Sequence, residues 1–161
     1  HWGEGPQIVS NILKGQTNMI PKGGFPIVDV RDVAKVHTAV MEPGRGPRRF
    51  MIGGTHMPFG DTINAIAALT GRKIRFATLP AMALAPAVRL MDALQSIVPF
   101  RMPTSREGFE MLLMDPHCDD SQTINDLGIQ TIPFEETLAD MVRWMYQSGG
   151  ISAKLAGKLA D

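Results

Sequence analysis

The feature that most constrains how this chain can fold is a β-rich run at residues 25–30 that passes directly into a helical pattern. Asp32 stands where the N-cap of that helix belongs, because a short carboxylate can accept the unpaired backbone N–H groups of a first turn. We interpret His37, on the apolar face of this helix, as a hydrogen-bonded core histidine. The other residues at helical spacing on that face are Val33, Val36, Val40 and Met41.

Two further strands and a second helix continue this alternation. Residues 49–52 predict a strand, and Asp61 can cap a helix that ends at Gly71. Residues 73–78 alternate between apolar and polar side chains and predict a third strand. Because strands and helices alternate along the chain, the sequence predicts an α/β fold rather than an all-α or all-β one.

The second half of the chain has mainly helical patterns. Residues 79–100 form the most apolar stretch, with Arg89 and Asp92 in its centre. Since two central charges oppose insertion into a bilayer, we expect a buried or pocket-forming helix there. A capping-box pattern at residues 104–107 predicts another helix, and Pro133 opens a last long one.

Composition and charge exclude several classes of protein. The chain has 16 basic and 16 acidic residues and a net charge of zero, which excludes a polybasic nucleic-acid binder. The single cysteine, Cys118, cannot form an intramolecular disulfide, so we expect a cytoplasmic protein. The length of 161 residues fits one domain, residues 1–148, followed by a tail at 149–161 that is a short helix or disordered.

Local motifs for catalysis are absent from the sequence. Neither G-x-G-x-x-G nor G-x-x-x-x-G-K-S/T occurs, and there is no G-x-S-x-G nucleophile elbow. The run DPHCDD at residues 115–120 has the residue types of metal ligands, but it lacks the spacing of zinc sites and an evident second ligand set. From the sequence we therefore assign no catalytic, cofactor-binding or metal-binding residue.

Several weak motifs in one order resemble a known family. FPIVDVRDVA at residues 25–34, with His37, resembles the F-V-D-V-R-D-V-A-x-x-H segment of extended short-chain dehydrogenase/reductases. The resemblance is to the NAD-dependent epimerase/dehydratase family and its dihydroflavonol reductase-like branch, and it covers the C-terminal half of that family. Further segments follow in the family's order: RFMIGG at residues 49–54, LTGR at residues 69–72 and NDLG at residues 125–128.

This resemblance implies the late elements of a Rossmann-like parallel sheet plus a small helical substrate-binding lobe. The family's glycine-rich loop and Tyr-x-x-x-Lys pair belong to its other half. Here the single tyrosine, Tyr146, has Gly150 where the lysine would stand. We therefore expect the parent protein to be an oxidoreductase that uses NAD or NADP, and this chain alone to bind no cofactor and to be inactive.

The same resemblance suggests residues for the substrate pocket: Gln7, Asn11, Phe25, Arg101 and Met102. The apolar lobe favours an apolar alcohol or ketone as the small-molecule substrate. Two alternatives stay open, a fragment of a sugar-nucleotide epimerase or dehydratase, and a non-enzymatic nucleotide-sensing or partner-binding module of the same fold. We expect no integral membrane segment and no nucleic-acid partner. We also expect a homo-oligomer, because part of a Rossmann sheet exposes apolar edges.

Overall fold

The computed structural model of the chain describes residues 2–44, 48–80 and 114–160. Within these residues the chain forms six α-helices, four short strands and one 3-10 turn. In chain order they are α1 (Glu4–Leu13), β1 (Met19–Pro21), β2 (Gly24–Ile27), α2 (Val30–Val40), β3 (Thr55–Pro58), α3 (Phe59–Thr70), β4 (Ala77–Leu79), α4 (Ser121–Leu127), α5 (Phe134–Gln147), α6 (Ala153–Ala156) and the 3-10 turn (Gly157–Leu159). The helices expected over residues 79–100 and after the capping box lie almost wholly outside the described residues.

The strands form two sheets of two strands each. β1 runs parallel to β4, with Met19 opposite Ala77. β2 runs antiparallel to β3, with Phe25 opposite Met57. Six helices together with a small parallel sheet make this a mixed α/β fold that is consistent with part of a Rossmann-like fold, so the predicted fold class is confirmed. No helix in the described part of the chain is long and apolar enough to cross a membrane.

The hydrophobic core lies where α1, α3 and α5 pack together with the 3-10 turn. Apolar side chains at helical spacing on these helices are fully buried: Ile12, Leu13, Ile63, Ile66, Val142 and Met145. The end of the chain belongs to the same core, because Ile151, Ala156 and Leu159 are buried in it. Each large side chain buried in this way contributes roughly 1.5–3 kcal/mol relative to an exposed one.

The two capped helices begin earlier than the sequence predicts. Asp29, rather than Asp32, is the N-cap of α2, and its Oδ1 accepts the backbone N–H of Arg31 at 2.8 Å. α3 begins at Phe59 with Pro58 as its N-cap, so Asp61 lies inside the first turn. The predicted caps were wrong because both carboxylates lie within the first turn of the helix that they were expected to cap.

The interpretation of His37 as a core residue was also wrong. Its side chain is exposed, and Nδ1 lies 2.8 Å from the carbonyl oxygen of Val33, one turn earlier in α2. The buried face of α2 is instead formed by Asp32 and Val36. The buried carboxylate of Asp32 therefore lies on a face of α2 that the spacing predicts to be apolar.

The strand predicted at residues 49–52 is not a strand in the described part of the chain, and β3 follows it instead at Thr55–Pro58. The backbone N–H groups here donate to side chains rather than to a neighbouring strand. Met51 N donates to Thr123 Oγ1 at 3.0 Å, and Gly54 N donates to Asp120 Oδ2 at 2.8 Å. The third predicted strand is shorter and later than expected, since β4 covers Ala77–Leu79.

Candidate functional site

A cluster of two histidines and one aspartate joins the segment before α4 to the β2–β3 sheet. Asp115 Oδ1 accepts the backbone N–H of Gly24, the first residue of β2, at 2.7 Å. The same oxygen lies 2.9 Å from Nε2 of His56, which is on β3. His117 Nε2 lies 3.7 Å from the second oxygen, Oδ2, of Asp115. We call these three side chains, His56, Asp115 and His117, the histidine–aspartate cluster.

The two imidazole rings of the histidine–aspartate cluster stack on each other. Their centroids are 3.9 Å apart and their planes differ by 22°. The hydrogen bond from His56, followed by that from the N–H of Gly24, lowers the pKa of the Asp115 carboxyl, although desolvation acts in the opposite direction. Asp115 therefore presents an ionised carboxylate to both rings at neutral pH.

A cavity of about 170 Å³ lies between the β2–β3 sheet, α2, α4 and the start of α5, and three carboxylates line it. Asp29 Oδ2 accepts from Thr137 Oγ1 on α5 at 2.7 Å. Asp32 Oδ2 accepts the N–H of Ile132 at 2.8 Å, and Asp120 accepts the N–H of Gly54. Because each carboxylate accepts from a donor on another segment, these groups fasten the elements together.

Three of the five residues predicted to line the substrate pocket lie in the described part of the chain. Gln7 and Asn11 come together on α1, where Gln7 Nε2 donates to Asn11 Oδ1 at 3.0 Å on the exposed face of the helix. Phe25 is half-buried on β2, and its ring meets the ring of Phe59 edge-on, with the centroids 5.5 Å apart. Arg101 and Met102 lie outside the described residues.

The histidine–aspartate cluster was missed by the sequence analysis. Asp115 and His117 stand in a run that already has the residue types of a metal site, but the third member, His56, is 59 residues from Asp115. The distance along the sequence between His56 and Asp115 does not indicate that they are in contact, because the pairing of β3 with β2 determines where His56 lies. The turn residues Gly53 and Gly54 before β3 are the local hint that the chain doubles back there.

Comparison with known proteins finds distant relatives, and no family model matches the chain. Sterol demethylase protein B of Methylococcus capsulatus is 24% identical over 156 residues, which cover 93% of this chain and 48% of that protein. A Synechocystis protein provisionally named dihydroflavonol 4-reductase is 21% identical over 92% of this chain and 44% of its own length. The crystal structure of gox2253 has the same fold, with a TM-score of 0.70 and 21% identity over 92% of this chain and 45% of that one.

The chain therefore spans about half the length of the curated relatives that it matches. The names of those relatives suggest a family of reductases or epimerases of the short-chain dehydrogenase/reductase kind.

The helix N-termini of this chain allow a test of whether it could hold the pyrophosphate of NAD(P). A helix N-terminus binds phosphate through free N–H groups and its positive dipole end. The four longest described helices all carry acidic side chains in the first turn: Glu4, Asp32, Asp61, and Glu135 with Glu136. Since these charges would repel a phosphate, the N-termini of these four helices do not fit the pyrophosphate.

Proposed function

We propose that this chain is the substrate-binding, C-terminal part of an NAD(P)-dependent oxidoreductase that acts on an apolar, ring-bearing alcohol or ketone. The observation that carries the proposal is a match over more than nine-tenths of the chain to two proteins with related names. One is named for a sterol and the other for a dihydroflavonol, and both compounds are multi-ring alcohols. The fold shared with gox2253 supports the same assignment of architecture.

In this proposal Gln7 and Asn11 recognise the polar end of the substrate. Their side-chain amides are already joined by a hydrogen bond, which fixes both groups on the exposed face of α1. An amide pair of this kind still has a free N–H donor and a free carbonyl acceptor, so it can bind a hydroxyl or a ketone oxygen. Phe25, with Arg101 and Met102, completes the proposed pocket with apolar surface and one cation.

The cofactor belongs to the other half of the intact protein in this proposal. That half would supply the chemistry of hydride transfer, and the residues described here bind and orient the substrate. This division agrees with the acidic first turns of the four longest described helices, whose charge disfavours a pyrophosphate at those N-termini.

The test is an assay of the intact protein for oxidation of NADH or NADPH in the presence of multi-ring ketones. We expect the double variant Gln7→Ala with Asn11→Ala to raise KM about five- to thirtyfold, since each lost neutral hydrogen bond costs about 1 kcal/mol, or about fivefold in affinity. The value of kcat should change less, because the amides act in binding. The matched control is Gln147→Ala, an exposed glutamine at the end of α5, which should leave KM unchanged.

Three results would each contradict part of the proposal. If the double variant turned over multi-ring ketones with an unchanged KM, Gln7 and Asn11 would not bind the substrate. Interconversion of sugar nucleotides by the intact protein, without net consumption of NAD(P)H, would favour the epimerase alternative. An intact protein that binds NAD(P) and turns over neither class would favour the non-enzymatic module.

We also propose that this chain, produced without the other half, forms a homo-oligomer. Each strand pairs with a single neighbour among the described residues, and large apolar side chains are exposed, with Val30 at 78% and Met41 at 82%. Exposed apolar surface and open strand edges favour association. Light scattering of this chain should give a mass at least twice 17.6 kDa, whereas a monodisperse species of 17.6 kDa would overturn this prediction.

A further inference from the structure

We propose that His56, Asp115 and His117 bind one divalent transition-metal ion of the zinc class. The two Nε2 atoms and a carboxylate oxygen all lie within 4.8 Å of one another. The three residues come from two separate segments, β3 and the run before α4, and the fold brings them together. The inference does not depend on the proposed oxidoreductase function.

The spacing of the donor atoms fits a single ion. Zinc bonds to histidine nitrogen at about 2.0–2.1 Å and to carboxylate oxygen at about 2.0–2.2 Å, so tetrahedral ligand atoms lie about 3.3 Å apart. The distances from the carboxylate to the two Nε2 atoms are 2.9 Å for His56 and 3.7 Å for His117. The first distance is to Oδ1 and the second to Oδ2, and both are close to the tetrahedral spacing. Because an imidazole nitrogen bonds a metal in the plane of its ring, the two stacked rings would turn apart for both nitrogens to reach one ion.

The carboxylate donor is already held in place. The N–H of Gly24 holds Asp115 Oδ1 at 2.7 Å, as outer hydrogen bonds commonly orient the carboxylate ligands of metal sites. Each histidine Nε2 atom faces this carboxylate, His56 at Oδ1 and His117 at Oδ2. The fold therefore gathers the three donor groups in one place.

The chemistry of the donors selects the class of metal. Two imidazole nitrogens and one carboxylate suit zinc, nickel, cobalt or copper, while magnesium and calcium prefer ligand sets made of oxygen. The His117 side chain is 69% exposed, so water can reach the remaining coordination positions. An ion here would fasten the segment before α4 to the β2–β3 sheet, which carries the proposed pocket residue Phe25.

The experiment titrates Zn²⁺ into the intact, metal-free and tag-free protein by calorimetry, and Co²⁺ in parallel by visible absorption. We expect one equivalent of Zn²⁺ to bind at this site, and a Co²⁺ spectrum typical of nitrogen and oxygen ligands without a thiolate band. Bound Zn²⁺ should also raise the Tm, because the ion binds the folded state preferentially. Mg²⁺ at the same concentration should have no effect.

Variants of exposed residues separate this site from other metal ligands in the protein. His117→Ala should weaken binding at least tenfold and abolish the rise in Tm, since even the loss of an outer-shell partner costs 10- to 100-fold in affinity. Asp115→Asn, which retains an oxygen to accept from Gly24, should weaken binding to a similar degree. The matched control is His37→Ala, another exposed histidine, which should leave affinity unchanged.

Three outcomes would overturn the proposal. The first is the absence of saturable binding of Zn²⁺ to the intact protein. The second is equal affinity in the wild type and in His117→Ala. The third is loss of binding in Cys118→Ser with retention in His117→Ala, which would move the site to the neighbouring thiol.

Discussion

Replacing Gly54 with alanine is expected to destabilise the protein by about 3–5 kcal/mol, a large part of the roughly 5–15 kcal/mol that holds a typical domain folded. Gly54 has a φ of 68°, in the left-handed region, where a residue with a Cβ pays about 1–2 kcal/mol. The new Cβ would also overlap the carbonyl oxygen of Ile27 in β2. The end of β2, the start of β3, or both would have to move.

Movement of Gly54 would have a second cost, because its N–H is one of the two that Asp120 binds. Asp120 Oδ2 accepts from Gly53 N at 3.0 Å and from Gly54 N at 2.8 Å, which ties the start of α4 to β3. A hydrogen bond to a charged group is typically worth about 1.5–3 kcal/mol. The overlap with Ile27 therefore breaks contacts on both sides of the turn.

The matched control for Gly54→Ala is Gly128→Ala. Gly128 has a φ of 62°, close to that of Gly54, but a Cβ there would have no heavy atom within 4 Å. This control should lose only the conformational cost of about 1–2 kcal/mol. Denaturant unfolding monitored by circular dichroism measures both differences, and equal losses in the two variants would show that the overlap with Ile27 is relieved without cost.

The helices of the core could be predicted from the sequence because their signals are local. The repeat before Gly71 indicated α3, and Pro133 indicated the start of α5. Each of these predictions depends only on residues within a few helical turns of one another, so the sequence of that segment is enough to predict the helix. The α/β class follows from the same local reading of strands and helices in alternation.

The strand after α2 could not be placed from the sequence, because its position depends on a distant partner. Residues 49–52 are richer in β-forming side chains than Thr55–Pro58, yet the latter pair with β2. Gly24, at the start of β2, has no side chain and lies so close to β3 that a Cβ there would be 2.5 Å from the oxygen of Met57. Close approach of two backbones is a tertiary property that β propensity does not record.

The histidine–aspartate cluster escaped prediction for the same reason, whereas the contact between Gln7 and Asn11 is local. Gln7 and Asn11 are four residues apart on one helix, so their contact follows from helical geometry. His56 meets Asp115 only because β3 pairs with β2 and Gly24 binds the carboxylate. No spacing in a single sequence shows that these two segments are neighbours.

Asp29→Ala is the second substitution with a large expected effect, a loss of about 2–4 kcal/mol. The Asp29 side chain is only 5% exposed and caps α2 through the backbone N–H of Arg31. Loss of an N-cap costs about 1 kcal/mol, and the half-buried Thr137 hydroxyl, left without its acceptor, adds a penalty of about 1–3 kcal/mol. The ion pair with Arg31 adds little to this sum, since that guanidinium is half exposed and retains Asp140.

Asp140→Ala is the control for the loss of Asp29. Asp140 also bonds to Arg31, at 2.8 Å, but it is 41% exposed and caps no helix. Its replacement should cost less than about 1 kcal/mol, as is usual for exposed ion pairs. Comparable losses in the two variants, measured by denaturant unfolding at neutral pH, would contradict the assignment of Asp29 as the link between α2 and α5.

The contribution of Asp29 should also depend on pH in a defined direction. The hydrogen bond from the Arg31 side chain, assisted by the Thr137 hydroxyl, holds the pKa of Asp29 well below its usual range, and desolvation only partly opposes this. An unfolded aspartate titrates near pH 3.9, so the unfolded chain takes up this proton first as the pH falls. The stability that the carboxylate provides is therefore complete above about pH 5 and decreases below it.

The variant Asp29→Asn isolates this effect, because it removes the charge and leaves the other carboxylates in place. The difference in unfolding free energy between the wild type and Asp29→Asn should be constant from pH 7 to about pH 5 and should narrow as the pH falls toward 3. Because Asp115 and Asp119 titrate in both proteins, their contributions cancel in the difference. A difference that stays constant down to pH 3 would show that the fold does not favour the ionised form of Asp29.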